Sequence, residues 1–269
     1  MIRKPLPPLV ANMAPSTPAK PVAWLPDTKL QPTPSKEYAV YRHRASIKIE
    51  LTRPNNRNAL TAPMVDELQA LYERLAQDAS VFRIYLTGQG KVFCAGMDLG
   101  ASGSATSADE KQHTAGLRKF QSLLRAIEGA PQPGWAFPLR HLPVVAREWG
   151  VPLFRSATLT AAPLPASRLH ASGAIYALAA DNAELQGALC AELETTLSAC
   201  APGASAVCKE LAAVAWRSPG GEEQDETVTR RYMEMMAPSK EAKFGIEQFR
   251  KGVRTVDWTK LGEGNGSKL

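Results

Sequence analysis

The eight residues Phe93, Cys94, Ala95, Gly96, Met97, Asp98, Leu99 and Gly100 form the segment of this sequence best suited to chemistry. They follow Leu86-Thr87-Gly88-Gln89-Gly90-Lys91-Val92, so an apolar strand must close in a tight turn built from small residues. Such a turn exposes backbone N–H groups, and fixed N–H donors stabilise an oxyanion with little reorganisation. Taken alone, the segment reads first as a turn that packs small residues beneath a helix.

A second segment changes that balance. Arg53-Pro54-Asn55-Asn56-Arg57-Asn58-Ala59-Leu60 stands upstream, after its own strand. The two in this order resemble the crotonase superfamily, the enoyl-CoA hydratase/isomerase family, and in particular its peroxisomal fungal members. The likeness runs from about Tyr38 to Pro133 and resumes near Arg147 in Arg-Glu-Trp-Gly-Val-Pro-Leu-Phe. It implies an α/β fold, a crotonase-like (ClpP/crotonase) ββα-type core, here truncated, with a C-terminal helical region.

The resemblance also implies a chemistry. Members bind an acyl-CoA thioester and stabilise an enolate at its oxygen with two backbone N–H donors. The first donor is implied here at Met97, and coenzyme A contacts at Arg57, Ala59, Ala95, Asp98 and Leu99. Coenzyme A enters only as part of the substrate, and no further cofactor is implied. Assembly as a homo-trimer or hexamer follows if the core is intact.

The chain departs from the family after residue 129. The Gly-rich turn that supplies the second donor is missing, and no Asp or Glu lies between Gly129 and Arg147, so both catalytic glutamates of the hydratases are absent. We read this as a block lost around Gly134 to Val145. Two readings therefore stand. One is an enoyl-CoA hydratase or isomerase of a fatty-acid or specialised pathway; the other is a catalytically impaired relative that binds CoA esters or other family subunits. Glu128, Glu148 and His141 are the nearest titratable replacements. The two glutamates read as solvated helix-end charges, and His141 falls in an irregular Pro-rich stretch. No nucleophile elbow and no paired metal ligands occur.

The elements that must position these loops follow from periodicity. Ile47, Ile49 and Leu51 alternate with polar residues as a half-buried strand. Thr61 is a candidate N-cap, Pro63 suits a first helical turn, and Met64, Leu68, Leu71 and Leu75 mark the helix's buried face. Val81 to Thr87 reads as a second strand, and Leu117, Phe120, Leu123 and Ile127 as a second helix ended by Gly129 and Pro131. Beyond residue 146 the pattern is helical, including segments at Glu222 to Met236 and Lys240 to Lys251.

Five segments result. Residues 1–37 hold nine of the 21 prolines and are expected to form a disordered leader, with docking of Trp24 and Leu25 as the alternative. Residues 38–133 form the N-terminal part of the core, 134–146 an atypical junction, and 147–258 the helical part. Residues 259–269 are a flexible tail ending in Ser267, Lys268 and Leu269, the address read by the peroxisomal import receptor. A peroxisomal location is expected.

Composition narrows the partners. Of the net charge of +6, residues 1–37 supply half, with Arg3, Lys4, Lys20, Lys29 and Lys36 against Asp27 and Glu37. No basic stripe with interleaved aromatics appears, which speaks against nucleic acid. A mildly basic body suits a phosphate-bearing ligand. Cys94, Cys190, Cys200 and Cys208 lack metal-ligand spacing and read as free thiols. No run of 18 apolar residues exists, so membrane insertion is not expected.

Overall fold

Alternation of apolar and polar side chains builds the first sheet. The structure is a computed structural model describing residues 22–31, 35–98, 110–131, 134–135, 150–160, 165–175, 183–236 and 239–262. Strands β1 (Leu25–Pro26), β2 (Tyr38–His43), β3 (Ser46–Leu51), β4 (Arg83–Gly88) and β5 (Gly134–Trp135) lie in that order across one sheet. β2 and β3 form an antiparallel hairpin whose turn places Arg44 at φ +51. β3 pairs in parallel with β4, so the expected strand, helix, strand crossover is present.

Helix α1 (Ala62–Gln77) makes that crossover. Thr61 caps it, its hydroxyl oxygen accepting the Met64 N–H at 3.2 Å, and Pro63 sits in the first turn where no intrahelical donor is needed. Met64, Val65, Leu68, Leu71, Tyr72 and Leu75 are buried on one face of the sheet against Val40, Ile47, Ile49, Leu51 and Ile84. Each such side chain contributes about 1.5–3 kcal/mol over its exposed state, so packing rather than propensity holds this helix. Helix α2 (Glu110–Gly129) adds Leu123 to the same core.

Two expectations are corrected here. The leader is not disordered throughout: Leu25 and Pro26 pair antiparallel with Arg42 and Tyr41. Proline is tolerated because this is an edge strand, where a missing N–H interrupts no ladder. Trp24 packs edge-on against His43 and Tyr85, with ring centroids 5.9 and 5.7 Å apart. Residues 1–21 lie outside the described residues. The junction likewise begins inside the sheet, since Gly134 and Trp135 pair in parallel with Ile84 and Tyr85. The unpaired groups of a strand edge recruit backbone whatever its side-chain pattern. Residues 136–149 are not described.

Asp27 anchors the arm. Its carboxylate accepts the Lys29 and Leu30 N–H groups at 3.0 Å and the Arg42 Nε at 2.6 Å. Burial alone would raise its pKa, but these partners together hold it below its ordinary value of 3.8. A depressed carboxyl contributes stability above its unfolded pKa and loses it as pH falls through the folded one. The arm should therefore be held fully above about pH 4 and release below it. Asp27→Asn should raise amide exchange over residues 22–31 at pH 7 while β3 and β4 stay protected; unchanged exchange in the arm would refute the anchor.

The second half is helical, as the periodicity implies: α3 (Val151–Thr160), α4 (Ala166–Ala171), α5 (Ala183–Ser198), α6 (Pro202–Arg217), α7 (Glu222–Met236) and α8 (Lys240–Arg250). Glu210 on α6 pairs with Arg230 and Arg231 on α7. Glu241 on α8 accepts the Gly203 and Ala204 N–H groups at 2.8 and 3.1 Å, which closes the open end of α6. The Trp258 indole donates to the Ala199 carbonyl at 3.1 Å. Among the described residues no helix is long and apolar enough to cross a membrane.

The helical half meets the sheet on its other face. Glu194 of α5 is buried there with Ser46, Arg83 and Tyr85. The Tyr85 hydroxyl donates to Glu194 at 2.7 Å, Arg83 Nη2 at 3.2 Å and the Ser46 hydroxyl at 2.8 Å, while Arg83 Nε donates to Ser46 Oγ at 2.8 Å. Burial and the neighbouring Glu194 charge push the Tyr85 phenol pKa upward, so it stays a donor. No local pattern announces this cluster, because Arg83 and Glu194 are 111 residues apart.

Candidate functional site

Strand β4 ends at Gly88, where any side chain is excluded: a Cβ would lie 2.4 Å from the Phe93 carbonyl oxygen and 2.9 Å from Asn58 Nδ2. This close approach folds the following loop back over the strand end. Asn58 fixes it from the other side. Fully buried and at φ +54, its amide accepts the Arg53 N–H at 2.9 Å and donates to the Gln89 and Val92 carbonyls at 2.9 and 2.7 Å. Asn is among the few side chains that tolerate this left-handed conformation.

The two motif loops then pair with each other. Ala95 N–H donates to the Arg57 carbonyl at 3.0 Å, Leu60 N–H to Gly96 at 2.8 Å, and Asp98 N–H to Leu60 at 2.9 Å. Leu60 and Met97 thus form an isolated parallel bridge. In such a bridge the residue facing its partner uses its neighbours' groups, so the Met97 N–H points to the opposite side. Among the described residues it donates to nothing. Gly96 lies at φ +95, a conformation suited to glycine, and a Cβ there would meet no described heavy atom within 4 Å. Among the described residues the turn therefore offers one unspent N–H, next to a glycine whose Cβ position is open.

Five of the six residues implied for the site, Arg57, Ala59, Ala95, Met97 and Asp98, are brought together in these paired loops. The sixth, Leu99, lies outside the described residues, as do His141, Glu148 and the terminal Ser267, Lys268 and Leu269. Glu128 sits half-buried in the last turn of α2. Behind the loops is an apolar cavity of about 20 Å³, lined by Leu60, Leu86, Phe93, Cys94, Phe120 and Ile127 among others. Burial pushes the Cys94 thiol pKa up and keeps it protonated. Among the described residues no group of three His, Cys, Asp or Glu could hold a metal ion.

The sequence reasoning missed Arg53 and Asn58 as individual contributors. Their side chains act on segments far along the chain, and only the Arg-Pro step and the Asn-Ala-Leu ending signalled them.

Known proteins resemble this chain in sequence and in fold. The sequence model for "Enoyl-CoA hydratase/isomerase" matches residues 42–136, which span both motif loops. The enoyl-CoA hydratase AKT6-1 of Alternaria alternata is 30% identical over 259 residues, covering 82% of this chain and 84% of that protein. The chain belongs to the enoyl-CoA hydratase/isomerase family. A probable enoyl-CoA hydratase, echA6, of Mycobacterium bovis is 46% identical over 90 residues, about a third of each chain. The fold agrees as well: AtuE of Pseudomonas aeruginosa superposes with a TM-score of 0.72 at 25% identity, covering 83% of this chain and all of that one. An enoyl-CoA hydratase/isomerase from Marinobacter aquaeolei gives 0.71 at 17% identity. The crotonase fold expected from the two motifs is thus present, with the helical C-terminal region.

Proposed function

We propose that this family member binds an acyl-CoA thioester along the Arg57–Ala59 and Ala95–Leu99 loops and polarises the thioester carbonyl with the Met97 N–H. The observation that carries the reading is the direction of that N–H, turned away from the Leu60 bridge and without an acceptor among the described residues. A preorganised donor stabilises charge that develops on an oxygen placed against it. The reaction is hydration or double-bond shift of an enoyl-CoA, in line with the Alternaria alternata relatives, which are named enoyl-CoA hydratases.

A specific observation favours a second reading, binding without turnover. No carboxylate stands between Gly129 and Arg147, where the hydratases keep their acid and base. General acid–base groups contribute about 10²- to 10⁴-fold each, so a chain without them is a poor hydratase even with a sound donor.

One titration separates the two. With purified full-length chain and crotonyl-CoA, a red shift of the bound conjugated thioester is expected in either case. Steady loss of its absorbance identifies the enzyme, a stable shifted band identifies the binder, and absence of any shift rejects the thioester site.

The same proposal places the protein in the peroxisome, on Ser267, Lys268 and Leu269, brought there by the import receptor. It also makes the chain a homo-trimer or hexamer if the core is intact. Exposed Tyr232, Met233 and Phe249 on α7 and α8 support such an interface.

A further inference from the structure

Arg53 sits at the N-terminal end of the short turn Pro54–Asn56, outside every residue so far assigned to the ligand. Its guanidinium is spent on three separate segments. One nitrogen, Nη1, donates to the Ala59 carbonyl, and Nη2 donates to Asp98 Oδ2 at 2.9 Å. Nε lies 3.5 Å from Glu37 Oε1, and the Glu37 carboxylate in turn accepts the Thr61 hydroxyl at 2.9 Å. Arg53 and Asp98 are both largely shielded, with side-chain exposures of 17% and 15%, so water screens this pair less than a surface bridge.

These contacts flank the bridge that orients Met97. Ala59 precedes Leu60, and Asp98 follows Met97. We infer that Arg53 is a positioning residue that fixes the direction of the Met97 N–H by clamping Ala59 and Asp98 in one guanidinium plane. This rests on the reading of Met97 as the carbonyl's donor. The planar fork matters as much as the charge: lysine carries the charge as a point and cannot span two acceptors in fixed geometry. Without the fork the Asp98 side of the bridge loses its tie to Arg53. Small displacements of such a donor matter, because an ångström of misplacement is worth up to about 10²-fold in rate.

The test uses the full chain as wild type, Arg53→Lys and Asp98→Asn, with two probes: butyryl-CoA and its thioether analogue, which lacks the carbonyl oxygen. Isothermal titration gives the affinity ratio of thioester to thioether, a quantity that reports on the carbonyl alone. Wild type should favour the thioester, and both variants should shrink that preference about tenfold, the worth of one charge-assisted hydrogen bond. In parallel, the red shift of bound crotonyl-CoA should diminish in both. A ratio that survives in the variants overturns the positioning role, whether both affinities hold or fall together as a merely structural role requires. Equal binding of the two probes by wild type instead sinks the Met97 reading and this inference with it. Asp98→Asn is isosteric, so it keeps the question answerable if Arg53→Lys melts early.

Discussion

Glu194→Ala should destabilise the fold by about 3–5 kcal/mol, the usual consequence of removing one partner from a buried ion pair. The substitution leaves Arg83, 5% exposed at its side chain, without its carboxylate, and strips Tyr85 and Ser46 of their acceptor. A domain of ordinary stability has about 5–15 kcal/mol in all, so the loss is a large fraction of the whole. Glu194→Gln keeps the volume and an acceptor for Tyr85, and should cost distinctly less. Urea unfolding followed by far-UV circular dichroism measures both. A Glu194→Ala midpoint within about 1 kcal/mol of wild type would show that water reaches the cluster and that the helical half is held elsewhere.

Met97→Pro is the counterpart at the site. Proline deletes the Met97 N–H yet spares the Leu60-to-Gly96 and Asp98-to-Leu60 hydrogen bonds that build the bridge, since neither uses that donor. Any turnover of crotonyl-CoA should fall about 10²- to 10³-fold, as it does when one oxyanion donor is removed. The red shift of the bound thioester should vanish, while a Met97→Leu control, which keeps the N–H, should match wild type. A proline variant that still shifts the spectrum would place the carbonyl elsewhere.

Legibility followed the range of the interactions. Thr61, Pro63 and the Met64, Leu68, Leu71, Leu75 stripe marked α1 because capping and a 3.6-residue period are local, and α5 to α8 were readable on the same grounds. The hairpin partner β2 escaped notice: its turn uses Arg44 in a left-handed conformation where glycine or asparagine would have announced it. Docking of Trp24 stood only as the alternative, and the strand at Leu25 and Pro26 was hidden by proline density, which bars interior strands but not an edge. At the site, the loops could be located from the two motifs, but the direction of the Met97 N–H is set by Leu60, and the Arg53 clamp reaches Asp98 across 45 positions. Glu194 stands beside Leu193 and Leu197 in an apolar stripe, and only its partner 111 residues away explains a carboxylate there.

The Arg83–Glu194 pair ties the sheet of the first half to a helix of the second. Losing the segment around Glu194 removes more than a helix: it uncovers the face of the sheet that carries Ser46, Arg83 and Tyr85.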